Sequence, residues 1–104
     1  MIGIDLGDAK EYEKITSSND SKALTVSKMT NGGLPVRAAV ITVETNDVRF
    51  TLDGTAASDT VHHLYDVSER TEPIVLIGAP NVRNFRVRSA VNGTHGNIYV
   101  TYFF

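Results

Sequence analysis

A chain of 104 residues, 41% hydrophobic and 21% charged, has the size and balance of one globular domain, long enough for one modest core and too short for two. Its formal net charge of −2 offers no basic footprint for neutralising phosphates, which argues against a direct nucleic-acid binder. The absence of cysteine removes disulfide frameworks and thiolate metal sites, so packing and sheet hydrogen bonds must hold the fold.

Residues 1–10 read as an extended N-terminal arm, with Ile2, Ile4 and Leu6 alternating against Gly3 and Asp5. This opening has neither a basic start nor an apolar stretch of signal-peptide length, and nowhere do about 18 apolar residues run together. The expectation is a soluble protein made in the cytoplasm, with no membrane contact. Glu11 to Ser17 alternates weakly, the polar cluster Ser17 to Ser21 reads as a turn, and Lys22 to Met29 as a second strand. Asn31-Gly32-Gly33-Leu34-Pro35 is the strongest breaker in the chain and reads as a long connection.

Ala38 to Gly54, AAVITVETNDVRFTLDG, carries the clearest pattern. Ala39, Ile41 and Val43 share one face and Thr42 and Glu44 the other; beyond a short turn, Val48, Phe50 and Leu52 oppose Arg49 and Thr51. This predicts a β-hairpin. Thr55 to Thr60 is polar loop, and Val61 to Tyr65 a loop with one strand-like turn. Glu72 to Gly78 is a β-branched run bounded by Pro73 and Gly78, which predicts a strand buried on both faces or covered by a partner. Ala79-Pro80-Asn81 reads as a turn. Phe85, Val87 and Ser89 then alternate against Arg86 and Arg88, and Asn92-Gly93 leads into Ile98, Val100 and Tyr102, forming a final hairpin. Asn92-Gly93-Thr94 also matches a glycosylation acceptor, but its Asn-Gly pair is better explained as a tight turn.

About seven or eight short strands with regular turn signals predict an all-β fold: a single small β-sandwich, Greek-key or jelly-roll, over residues 11–104 behind the arm. Chemistry is harder to find. His62 and His63 are adjacent, and on a strand adjacent residues point to opposite faces, so they and His95 read as surface residues. Asp53-Gly54 is above all a turn. Asp5, Asp8, Glu11 and Glu13 lack calcium-loop spacing and read as a solvated acidic face. No familiar catalytic, nucleotide or metal motif occurs, so the expectation is no enzyme and no cofactor. Arg83, Arg86 and Arg88 offer forks that suit carboxylates of a partner, against the plainer reading of a solvated sheet face. Tyr99, Tyr102, Phe103 and Phe104 crowd the last residues, which predicts a last strand that is central in its sheet, capped by another subunit, or both.

Taken in order, AAVITVETNDVRFTLDGT, HHLYD, NVRNFRVRSA and IYVTYFF make residues 38 to 104 resemble a group of small structural proteins of tailed bacteriophages. Those relatives show an Ala-Val-Ile-Thr-Val-Glu strand, an Arg-Phe-x-x-Asp-Gly-Thr turn, a His-Leu segment, an Asn-Phe-Arg strand and a Thr-Tyr-Phe ending. Between Tyr65 and Ile77 this chain departs from them, with DVSERTEP in place of a Gly-Asp-type turn. The resemblance implies a non-enzymatic virion component, a capsid decoration or a head, neck or tail accessory subunit. It implies other virion proteins as partners and brings no catalytic residues. On this reading the chain is a homo-oligomer located in the virion, with Ile2, Ile4, Leu6, Phe103 and Phe104 contacting neighbouring subunits and Arg86 and Arg88 supplying charge at the rim. The alternative is a carbohydrate-binding β-sandwich with Tyr65, Tyr99 or Tyr102 as stacking platforms, against which the lack of tryptophan counts.

Overall fold

The structure, a computed structural model, describes residues 6–70 and 72–104. In chain order its elements are β1 (Ala9–Thr16), β2 (Lys22–Ala23), a 3-10 turn (Val26–Lys28), β3 (Thr30–Asn31), β4 (Leu34–Pro35), β5 (Ala38–Glu44), β6 (Val48–Thr51), β7 (His63–Tyr65), β8 (Ile74–Ile77), α1 (Ala79–Asn84), β9 (Arg86–Ser89) and β10 (Asn97–Phe103). Eight strands build two antiparallel sheets, a first ordered β1-β10-β5-β8 and a second ordered β2-β9-β6-β7, while β3 and β4 pair only with each other. The two large sheets pack as a small all-β sandwich. Among the eight, β6 and β7 are the one consecutive pair that lies side by side; every other step along the chain crosses between sheets, which is the weave of a jelly roll.

The core follows from the alternation. Ala39, Ile41 and Val43 of β5 and Ile98, Val100 and Tyr102 of β10 face Val48 and Phe50 of β6 and Val87 of β9, all buried. Leu24, Met29, Val36, Tyr65, Ile74, Leu76, Val82, Phe85 and Phe104 join them, and Phe85 stacks on Phe50 with ring centroids 5.7 Å apart. β10 lies between β1 and β5, so the aromatic C-terminus is central in its sheet. The Asp8 amide donates to the Phe104 carbonyl at 3.0 Å and the Phe104 amide returns a bond to the Asp8 carbonyl at 2.9 Å. A chain end held by such a reciprocal pair does not fray.

Several expectations need correction. Ala38 to Gly54 is not a hairpin: β5 belongs to the first sheet and β6 to the second, joined by an arch through Thr45, which has a φ of 83°. The final hairpin fails in the same way, since β9 and β10 lie in different sheets. In both cases the alternation marks the core face correctly, because strands on either side of a sandwich point the same residues inward. Leu52 falls past the end of β6 and is exposed. Lys22 to Met29 is a strand only as far as Ala23 and then a 3-10 turn. Gly32 and Gly33, both at positive φ, close a two-residue hairpin between β3 and β4 where a long connection was expected. Ala79-Pro80-Asn81 opens α1, whose early proline is compatible with a helix start. β8 is not buried on both faces by its own chain: Ile74 and Leu76 are covered, while Val75 and Ile77 on its other face are exposed. As for the arm, Ile2 and Ile4 lie outside the described residues, and the sheet takes up the chain from Ala9.

Candidate interaction surface

On the first sheet the outward-facing residues divide along the strands: Thr16, Asn97 and Glu44 make a polar row at one end, and the apolar side chains gather toward the other. The register sets Tyr12, Thr101, Val40 and Val75 in one row across all four strands, Lys14, Tyr99 and Thr42 in the next, and Phe103, Ala38 and Ile77 in a third. Tyr12 is 77% exposed, Val75 47% and Ile77 46%, while Val40 and Phe103 are half-buried. Lys14 Nζ stands 5.9 Å from the Tyr99 ring centroid, and a concavity of about 390 Å³ lies among Tyr12, Glu13, Lys14, Tyr99, Val100 and Thr101. A sheet face that met only water would carry polar residues at these positions.

The second sheet turns arginines outward. Arg49 stands between Arg88 on one side and Leu64 on the other. Its Nε donates to the Asp59 carbonyl at 3.0 Å and its Nη1 to the His62 carbonyl at 2.7 Å, binding the β6–β7 loop to the sheet. Arg86 Nη1 donates to the Arg83 carbonyl at 2.7 Å and the Phe85 carbonyl at 3.0 Å, and Arg88 donates to the Ser89 carbonyl and to Asn92 Oδ1. These guanidinium groups are occupied by carbonyls of their own chain, and Arg49 also fastens a loop.

The predicted contact residues are therefore not gathered in one place. Phe103 lies on the outer face of the first sheet, Arg86 and Arg88 on that of the second, Leu6 is half-buried, and Phe104 is buried in the core. The ring of Phe104 is covered by its own chain. Tyr65 and Tyr102 are also core residues, which removes both from a sugar-stacking role, whereas Tyr99 stays on the surface. The Tyr102 hydroxyl donates to Glu13 Oε1, which also accepts from the Thr25 amide at 3.1 Å. Burial, and then the neighbouring Glu13 carboxylate, hold the Tyr102 phenol neutral far above its ordinary range.

His62, His63 and Asp53 share the wall of a cavity of about 230 Å³ with Thr51, Leu52 and Thr55. Each already has a local task. His62 Nδ1 accepts from the Ser58 amide at 2.9 Å, His63 stacks on Phe50 at 5.3 Å, and Asp53 Oδ1 accepts from the Thr55 amide at 3.0 Å. That last bond holds the Asp53 carboxyl below its usual range and fixes the predicted turn. Among the described residues no three metal-ligating side chains converge.

A polar network emerges that sequence reading missed. Ser17 Oγ and Ser89 Oγ are 2.7 Å apart, Ser89 Oγ lies 2.8 Å from His95 Nδ1, and the Gly96 amide donates to Ser17 Oγ at 2.8 Å. Serine beside histidine resembles a nucleophile with its base, but Ser89 is wholly buried and out of reach of a substrate. The network instead ties the end of β1 to β9 and to the approach of β10. Its signal was not local, because Ser17 and Ser89 are 72 residues apart. No family model, curated protein or solved structure matches this chain.

Proposed function

We propose that this jelly roll is a non-enzymatic structural protein of a bacteriophage virion, a capsid decoration or a head, neck or tail accessory subunit. It works through protein-protein contacts, with other virion proteins and further copies of itself as partners. The observation that carries the reading is the apolar outer face of the first sheet, Tyr12, Tyr99, Phe103, Val40, Val75 and Ile77, which has the composition of a contact surface. The resemblance of residues 38 to 104 to tailed-phage structural proteins supports the virion setting. The fold is compatible with it, since jelly rolls serve capsids, though they also serve lectins and cupins and so do not decide function alone. In a symmetric particle each copy contributes a small contact and many copies make the sum strong.

Quantitative mass spectrometry of purified virions tests this by counting the chain against the major capsid subunit. A copy number close to that of the capsid subunit means decoration, and a small fixed number means a neck or tail part. Absence overturns the reading. One observation favours a second reading: the open concavity beside Tyr12 and Tyr99 has the shape and aromatic wall of a shallow sugar site. A glycan array with binders that are lost in Tyr99→Ala would put the carbohydrate-binding module first.

A further inference from the structure

The two edges of the first sheet differ in chemistry. Along β1 the sequence Lys10-Glu11-Tyr12-Glu13-Lys14 reads the same in both directions. Antiparallel pairing with a second β1 about Tyr12 would set Lys10 against Lys14 and Glu11 against Glu13, like charge on like, which protects that edge. At the other edge β8 is Ile-Val-Leu-Ile, uncharged and β-branched at all but Leu76, with Val75 and Ile77 exposed.

Its main-chain groups are arranged more specifically still. The Gly78 amide donates to the Arg37 carbonyl at 2.7 Å, one step beyond the Ile77–Ala38 pair. Main-chain groups alternate sides along an antiparallel strand, so Ile74 and Leu76 turn theirs to β5, while Pro73, Val75 and Ile77 turn theirs away from the sheet. Two of those outward positions are already closed. Asn81 Nδ2 donates to the Ile77 carbonyl at 2.7 Å, and Pro73 has no N–H. What is left is two donors, the Val75 and Ile77 amides, and two acceptors, the Val75 and Pro73 carbonyls.

A second β8, turned by a two-fold axis through Val75, satisfies this set completely. Val75 exchanges a reciprocal pair of bonds with the Val75 of the second copy. Each Ile77 amide meets the other copy's Pro73 carbonyl, and the proline that cannot donate faces the carbonyl that already has a donor. Ile74 falls opposite Leu76 on the inner side. Beside the strand lies a cavity of about 250 Å³ lined by apolar Phe50, Ile74, Val75 and Leu76 together with His63 and Arg70.

We propose that two copies of this chain pair through β8 about that axis, merging their first sheets into one eight-stranded sheet. The proposal rests on the contact-driven function above and names its first partner as a second copy. Sedimentation of the wild type at concentrations up to about 100 μM should show a species of twice the 11.3 kDa chain mass. Because residue 75 sits on the axis, Val75→Lys and Val75→Glu should each weaken dimerisation at least about tenfold by placing like charges together, and an equal mixture of the two should re-form a dimer. A wild type that stays monomeric, a lysine variant that dimerises unchanged, or folded variants that do not recombine would overturn the pairing. In the unmutated protein, Val75 and Ile77 amide exchange should slow as concentration rises. Exchange independent of concentration overturns it equally, whether or not the variants fold. A monomer found in virions sinks the strand pairing alone, and a dimer absent from virions sinks the virion reading alone.

Discussion

The two outer faces of this sandwich use their side chains in opposite ways. On the first sheet, Tyr12, Tyr99, Val75 and Ile77 leave apolar surface in water with little of their own chain to cover it. On the second, Arg49, Arg86 and Arg88 fold their guanidinium groups back onto carbonyls of their own chain. A sandwich needs only its inner faces to be apolar, so the second sheet meets the ordinary requirement of a sheet in water and the first exceeds it. The difference locates the surplus. Charged residues conspicuous in the sequence serve the fold, and plain valines, isoleucines and tyrosines stay exposed.

Substitutions sharpen this comparison when stability and association are read separately. The largest stability effect belongs to the layer that both sheets share: Phe85→Ala removes a wholly buried ring stacked on Phe50 and should cost about 3–5 kcal/mol in chemical denaturation. Arg49→Met should cost less, about 1–2 kcal/mol, through the loss of its bonds to the Asp59 and His62 carbonyls, and should leave association unchanged. If Arg49→Met instead impaired association at full stability, the division between the faces would be wrong. Tyr99→Ser should do the reverse, holding stability within about 0.5 kcal/mol while lowering incorporation into particles.

The smallest effects concern pH. Unfolded Tyr102 ionises near its ordinary value of 10.0, whereas the folded protein keeps it neutral. The unfolded state then loses a proton that the folded state retains, so stability is intact below pH 10 and falls as pH rises beyond it. Tyr102→Phe should flatten that alkaline slope in a denaturation series. On the acid side Glu11, Asp53 and Asp66 are held below their usual range by local hydrogen bonds, most strongly from the Tyr12 amide, the Thr55 amide and the Ser68 hydroxyl in turn. Their contributions are present above the unfolded values of about 4 and decline as pH falls through the lowered ones. Asp53 is exposed and Glu11 and Asp66 are partly so, so added salt should mute the effect.

Which residues face the core was legible in the sequence, and which strands pair was not. The alternation of Ala39, Ile41 and Val43 with Val48 and Phe50 describes a hairpin and an arch between sheets equally well, because both turn the same side chains inward. The turn that decides between them is Thr45-Asn46-Asp47, with positive φ on a threonine, which residue preference does not predict. Asn46 Nδ2 donates to the distant His95 carbonyl and Asp47 Oδ1 accepts from the Val67 amide, so partners far along the chain hold the arch. At the aromatic end, the alternation in β10 marked a strand that is central in its sheet, but Phe104, expected at a subunit contact, packs into its own core. The surface was read less well. Arg86 and Arg88 announce themselves by charge, but whether their donors are free depends on how the local backbone turns nearby carbonyls toward them. The edge at β8 was visible as an unusual apolar run, and its exposure came from topology alone.

Hydroxyl-radical footprinting of the chain, free and within purified particles, tests the division between the two faces most directly. The account predicts that Tyr12, Tyr99, Val75 and Ile77 react in the free protein and are protected in the particle, while Leu64 on the second sheet stays reactive in both. Protection of Leu64 with undiminished reactivity at Tyr12 and Tyr99 would contradict it.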